Sequence, residues 1–126
     1  MRPDLAESHY NLGLIAFKRN QEFQAVSHLR DALEINPDLP EASGTLALIL
    51  STSREPSLTD PSSAVLYALK ANEITAGAQP LYLAILAVAQ AAAGDASAAQ
   101  TALRASRLAR TQNDSEALEI LSKYLK

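Results

Sequence analysis

The chain contains no cysteine and no tryptophan, four glycines, and only six phenylalanine or tyrosine residues among its 126. Without cysteine there are no disulfides, no thiolate zinc or iron-sulfur ligation and no cysteine nucleophile, while the compartment stays undecided because many extracytoplasmic proteins also lack it. No apolar run approaches the roughly 18 residues a bilayer span needs; the longest, Leu81 to Ala93, is broken by Gln90 and reads as a buried helix, so no membrane insertion is expected. The first residues, Met-Arg-Pro-Asp-Leu-Ala-Glu, hold no apolar signal core, which favours the cytoplasm. A net charge of −3 and a pI near 5.3 argue against binding polyanions, so no nucleic-acid partner is expected. What the chain does have is alanine, 24 residues of it, within a composition that is 48% hydrophobic and 20% charged. That is a single helical globular domain, because alanine gives up no side-chain entropy in a helix and lets helices approach closely.

An internal repeat organises the domain. Shifted by 34 residues, Pro3, Asp4, Leu5, Glu7, Leu12, Leu14 and Ile15 fall on Pro37, Asp38, Leu39, Glu41, Leu46, Leu48 and Ile49, and Gly13 falls on Ala47. Asp4 with Glu7 and Asp38 with Glu41 each resemble a capping box at a helix start. Leu5, Leu12, Ile15 and Ala16 keep a helical period, Asn20-Gln21 turns the chain, and Phe23, Val26, Leu29 and Leu33 carry a second helix to Asn36-Pro37. A 34-residue helix-turn-helix unit cannot bury its apolar face alone and must stack on neighbours.

The remaining chain follows the same plan. The second repeat, about 38–76, carries an insertion at 51–60 that ends in Asp60-Pro61, an N-cap followed by a first-turn proline, and whose simplest role is to connect two helices. The third, about 79–111, opens at Pro80 and turns at Gly94-Asp95; Asn113 to Glu116 then start a capping helix over about 114–126, with Ala117, Leu118, Leu121, Tyr124 and Leu125 on one face and Glu119 and Lys123 as a favourable pair four apart. Ala25, Ala32, Ala64, Ala71 and Ala99 are expected where helices approach closely.

These residues resemble the tetratricopeptide repeat family. The Leu12-Gly13 pair, Ala25, Leu29, Ala32 and the closing Pro37 fall at its spacings, while His9 stands where a large aromatic is usual and Phe23 arrives one residue late. The resemblance covers about residues 3–126 and is strongest over 3–50. It implies an all-α, right-handed α-solenoid of stacked antiparallel helix pairs, about seven helices in all. Apart from the resemblance, the residues offer no catalytic constellation, and Gly44-Thr45 and Gly94-Asp95 lack the Lys and glycine spacing of a phosphate loop, so no enzyme and no cofactor are expected. The implied function is that of a protein-protein interaction scaffold, taking a peptide or protein segment in a concave groove lined by the first helix of each repeat, within a larger assembly or longer protein. On that analogy the groove holds Tyr10, Asn11, Leu14, Phe17 and Lys18, then Thr45, Leu48 and Thr52, then Ile85, Val88 and Ala92, and runs from polar in the first repeat to aliphatic in the third. The carboxylate clamp of some relatives is missing, since Tyr10, Leu14, Thr45, Leu81 and Ile85 occupy its places.

Three further expectations complete the reading. Pro3 resembles the closing proline of a preceding repeat, which suggests an excised fragment or a short relative whose first helix exposes Leu5, Leu12 and Ile15 and pairs with a second copy as a homodimer. His9 and His28, the only histidines, are read as packing residues, and no metal is expected, because they lack the i,i+4 pairing of common metal sites. Residues 1–63 carry five Lys or Arg against nine Asp or Glu, residues 96–126 five against three, and Arg104, Arg107 and Arg110 read as a solvated outer face.

Overall fold

A computed structural model describes residues 3–125, the side chains of Pro3 and Asp4 excepted. Among the described residues it contains seven helices and no strand: α1 Pro3–Lys18, α2 Glu22–Ile35, α3 Pro40–Thr52, α4 Pro61–Ile74, α5 Pro80–Ala92, α6 Ala98–Gln112 and α7 Ser115–Tyr124. Consecutive helices pack as the pairs α1/α2, α3/α4 and α5/α6, each pair stacks on the next through α2/α3 and α4/α5, and α7 closes the stack against α5 and α6. This is an all-α helical-repeat fold. No helix among the described residues is long and apolar enough to cross a membrane.

Proline and left-handed residues punctuate the stack. Pro40, Pro61 and Pro80 each occupy a first helical position, where the missing N–H costs nothing and the fixed φ suits the helix. Pro37 disfavours helical backbone at Asn36, which is extended at φ −135° and ends α2. Asn20 at φ 60° and Gly94 at φ 73° supply the left-handed residues of the α1–α2 and α5–α6 turns. Asn113 ends α6 in the same conformation, letting the Asp114 amide donate back to the Ala109 carbonyl at 2.8 Å, and the Asp114 carboxylate then caps α7 by accepting from the Ala117 amide at 3.0 Å. Asp60 caps α4 through the Ser63 amide, and the Ser63 hydroxyl and amide hold its carboxyl below the usual range.

Several boundaries differ from expectation. The capping box at Asp38 does not form: α3 starts two residues later, at Pro40, and Asp38 instead pairs with Lys70 at 3.2 Å. Its counterpart at Asp4 lies outside the described side chains. Ser51 and Thr52 belong to α3, their hydroxyls donating to the Ala47 and Leu48 carbonyls one turn back, so the connection proper is Ser53 to Asp60. That connection is also anchored, with Leu58 packed on the core, the Asp60 amide donating to the Leu50 carbonyl, and the Ser53 hydroxyl donating to Glu22 at 2.8 Å.

Small residues set the helix spacing. Ala25, Ala32, Ala64, Ala68 and Ala71 are fully buried, and a Cβ built on Gly13 would come within 3.0 Å of Leu29 Cγ, so α1 and α2 touch there at minimal separation. Ala99 departs from the pattern and is exposed. The buried face of α6 is Thr101, Ala105 and Ala109, which turns Ala99 and Leu103 to solvent. A second buried contact of Leu83, Ala84 and Ala87 with Ala105, Ala109, Ala117 and Leu121 seats α7. Asn72 ties α4 to α5, its side-chain amide donating to the Ala68 and Tyr82 carbonyls at 2.9 Å each.

Candidate functional site

The first helices of the stack, together with α7, enclose a cleft. Tyr10, Leu14, Phe17 and Lys18 of α1, Glu41, Thr45 and Leu48 of α3, Leu81, Tyr82 and Ile85 of α5, and Glu116 and Ile120 of α7 line a cavity of about 250 Å³. Beyond it a second opening of about 550 Å³ is lined by Phe17, Lys18, Thr52, Arg54, Lys123 and Tyr124 among others. Glu41, Tyr82 and Glu116, from the first turns of α3, α5 and α7, line the first cavity with Tyr10 from the middle of α1, and Thr52, Lys123 and Tyr124, from the last turns of α3 and α7, line the second with Lys18, which borders both.

Charge separates along this axis. Glu41 and Glu116 stand at the first end beside two tyrosines, and burial together with these carboxylates raises the Tyr10 phenol, partly offset by a hydrogen bond with Thr45. Burial first, then Glu41, pushes Tyr82 up to about 12, so both phenols stay neutral donors at physiological pH. Lys18, Arg54 and Lys123 stand at the second end together with Glu22, whose carboxylate accepts from the Ser53 hydroxyl, so this end carries a net positive charge; Lys123 lies 5.3 Å above the Tyr124 ring. None of these six charged groups is spent in an ion pair among the described residues. The Glu119–Lys123 pair expected on α7 is not formed.

Of the expected groove residues, Tyr10, Leu14, Phe17, Lys18, Thr45, Leu48 and Ile85 come together in the main cleft. Thr52, Val88 and Ala92 lie beyond it, along an adjoining depression under Tyr124. Asn11 lines neither region: it is exposed on the flank of α1. The expected gradient from a polar first repeat to an aliphatic third is also corrected. Ile85 and Val88 are almost wholly buried, and α7 brings its own charges beside α5, so polarity runs along the helices and not from repeat to repeat. Sequence reasoning missed Glu41, Tyr82, Glu116, Ile120, Lys123 and Tyr124. Glu41 and Tyr82 could have been found as the positions one turn before Thr45 and Ile85; the α7 residues had no such signal, because α7 was assigned only a covering role.

Two other groups of side chains bear on ligands. Arg104, Arg107 and Arg110 are exposed on the outer side of α6. His9, His28 and Asp31 bring potential ligand atoms within 4.8 Å of one another between α1 and α2. No family model, curated protein or solved structure matches this chain.

Proposed function

We propose that this chain is a protein-binding scaffold of the tetratricopeptide kind, taking an extended segment of another protein into the cleft among α1, α3, α5 and α7. The observation that carries the reading is the pairing of an aromatic and aliphatic wall with unpaired charges of opposite sign at its two ends. Such a cleft favours a segment with a cation at one end, apolar residues between, and an anion at the other. Glu116 and Lys123 are seven residues apart on α7, about 10 Å along a helix axis, which an extended segment covers in about three residues at ~3.3 Å each. The partner motif is therefore a basic and an acidic residue three apart around apolar residues. Calorimetric titration with a terminally blocked peptide containing Arg-Leu-Leu-Asp tests it. The double variant Lys18→Glu/Lys123→Glu should bind this peptide about tenfold more weakly, roughly 1.4 kcal/mol, with its circular dichroism unchanged; unaltered affinity would remove the basic end from the account.

A second reading rests on a separate observation. Leu5, Leu12, Ile15 and Phe23 are 42–54% exposed, an apolar stripe along α1 and the start of α2. We propose that two copies join through this stripe as a two-fold dimer, since a closed contact between like patches is the commonest way to bury one. Sedimentation at micromolar concentration should show a dimer that Ile15→Glu dissociates without loss of helicity. A wild-type monomer at every concentration would reject this arrangement while leaving the cleft reading standing.

A further inference from the structure

The chain has two histidines, and the fold places them against each other. His9 lies on α1 and His28 on α2, with ring centroids 5.9 Å apart and planes inclined by 31°. The Nδ1 atom of each is buried and has no hydrogen-bond partner. An unmade hydrogen bond at a buried nitrogen is costly, and native interiors leave few of them. Two on facing rings call for a shared partner. Asp31 supplies the remaining donor: it follows His28 by three residues on α2, so both project from one helix face, and a carboxylate oxygen and one nitrogen from each ring all lie within 4.8 Å of one another.

We infer that His9, His28 and Asp31 form a binding site for a divalent transition metal of the zinc class, clamping α1 to α2. The donor set selects that class, because imidazole suits zinc, copper, nickel and cobalt, whereas magnesium and calcium take oxygen ligands. Ligands held at ~2.0–2.2 Å around a tetrahedral zinc sit about 3.3 Å apart, so closing the set takes movement of under about 1 Å per side chain. Three protein ligands leave a fourth position for water. Asp31 is exposed and the two histidines are only half-buried, which gives the ion a way in. The site is separate from the cleft, so its test is independent of the binding function proposed above.

Titration of the full chain with Zn²⁺ should give one site, and Co²⁺ should give the intense visible bands of a tetrahedral ion. With zinc at a hundredfold excess over Kd, the melting temperature should rise by about 5–10 °C. Asp31→Asn, a change at an exposed residue that leaves the fold untouched, should weaken zinc binding at least tenfold, and His28→Gln should weaken it further and abolish the cobalt bands. Zinc uptake that both variants leave intact would assign the ion to surface carboxylates and overturn the site, as would the lack of any uptake by the wild-type chain.

Discussion

Leu29→Ala is expected to lower stability by about 2–5 kcal/mol, the range for deleting a buried leucine side chain where the surroundings collapse only partly. Leu29 is fully buried at the α1–α2 crossing and stands directly over Gly13, where a Cβ would meet its Cγ at 3.0 Å and its Cδ2 at 3.1 Å. The same geometry predicts a coupling. In the wild type, Gly13→Ala gains about 1 kcal/mol of helix propensity but meets Leu29 and the Ala25 carbonyl oxygen, the latter at 3.2 Å. In the Leu29→Ala background that methyl enters the space left behind, so Gly13→Ala should restore part of the lost stability, a non-additivity readable in thermal or urea unfolding. Leu103→Ala, at a half-exposed position of α6, serves as the control and should fall within about 0.5 kcal/mol of wild type. Equal losses at Leu29 and Leu103 would contradict the packing described.

Gly44→Leu is the second large effect, and it joins packing to binding. A Cβ at Gly44 would lie 2.7 Å from Tyr82 Cε1 and 2.8 Å from Cδ1, so the ring must move. The Asn72 side-chain amide on the Tyr82 carbonyl fixes the backbone there, and because the Tyr82 side chain lines the cleft, its ring is expected to move toward it. Overpacking of this kind costs about 1–3 kcal/mol, and the displaced ring fills the space between Tyr10 and Ile85. The variant should stay helical, melt lower and lose affinity for the Arg-Leu-Leu-Asp peptide. Unchanged affinity in a folded Gly44→Leu protein would show that the cleft wall at Tyr82 takes no part in binding.

The helices were legible in the sequence because a 34-residue shift aligns apolar residues, and each helix buries one stripe. Identical residues at matching positions nevertheless differ in environment: Leu5, Leu12 and Ile15 are 42%, 48% and 49% exposed, whereas Leu39, Leu46 and Ile49 are at most 8% exposed. The difference is tertiary. Helix α3 has α2 on one side and α5 on the other, and α1 has no counterpart to α2 among the described residues. The face of α6 was misplaced at Ala99 because the residues of the Gly94–Ser97 turn decide where the helix starts, and a shift of one position rotates the face by about 100°. The cleft was legible where its walls belong to the repeat, as at Tyr10, Thr45 and Ile85. It was illegible where α7 enters, since which residues face the cleft depends on how the stack curves. The histidine cluster was set aside on i,i+4 spacing, while the fold assembles it from an i,i+3 pair and a residue on the neighbouring helix.

Selection of the bound segment by charge at the two ends of the cleft, as proposed, is tested most directly by an inverted preference. Against a panel of blocked peptides containing Arg-Leu-Leu-Asp, Asp-Leu-Leu-Asp or Arg-Leu-Leu-Arg, the wild-type chain should bind the mixed-charge peptide most tightly. The Glu41→Lys/Glu116→Lys variant makes both ends positive, and its strongest partner should become the doubly acidic peptide. A variant that keeps the wild-type ranking, or a wild-type chain that does not distinguish the three, would contradict the account.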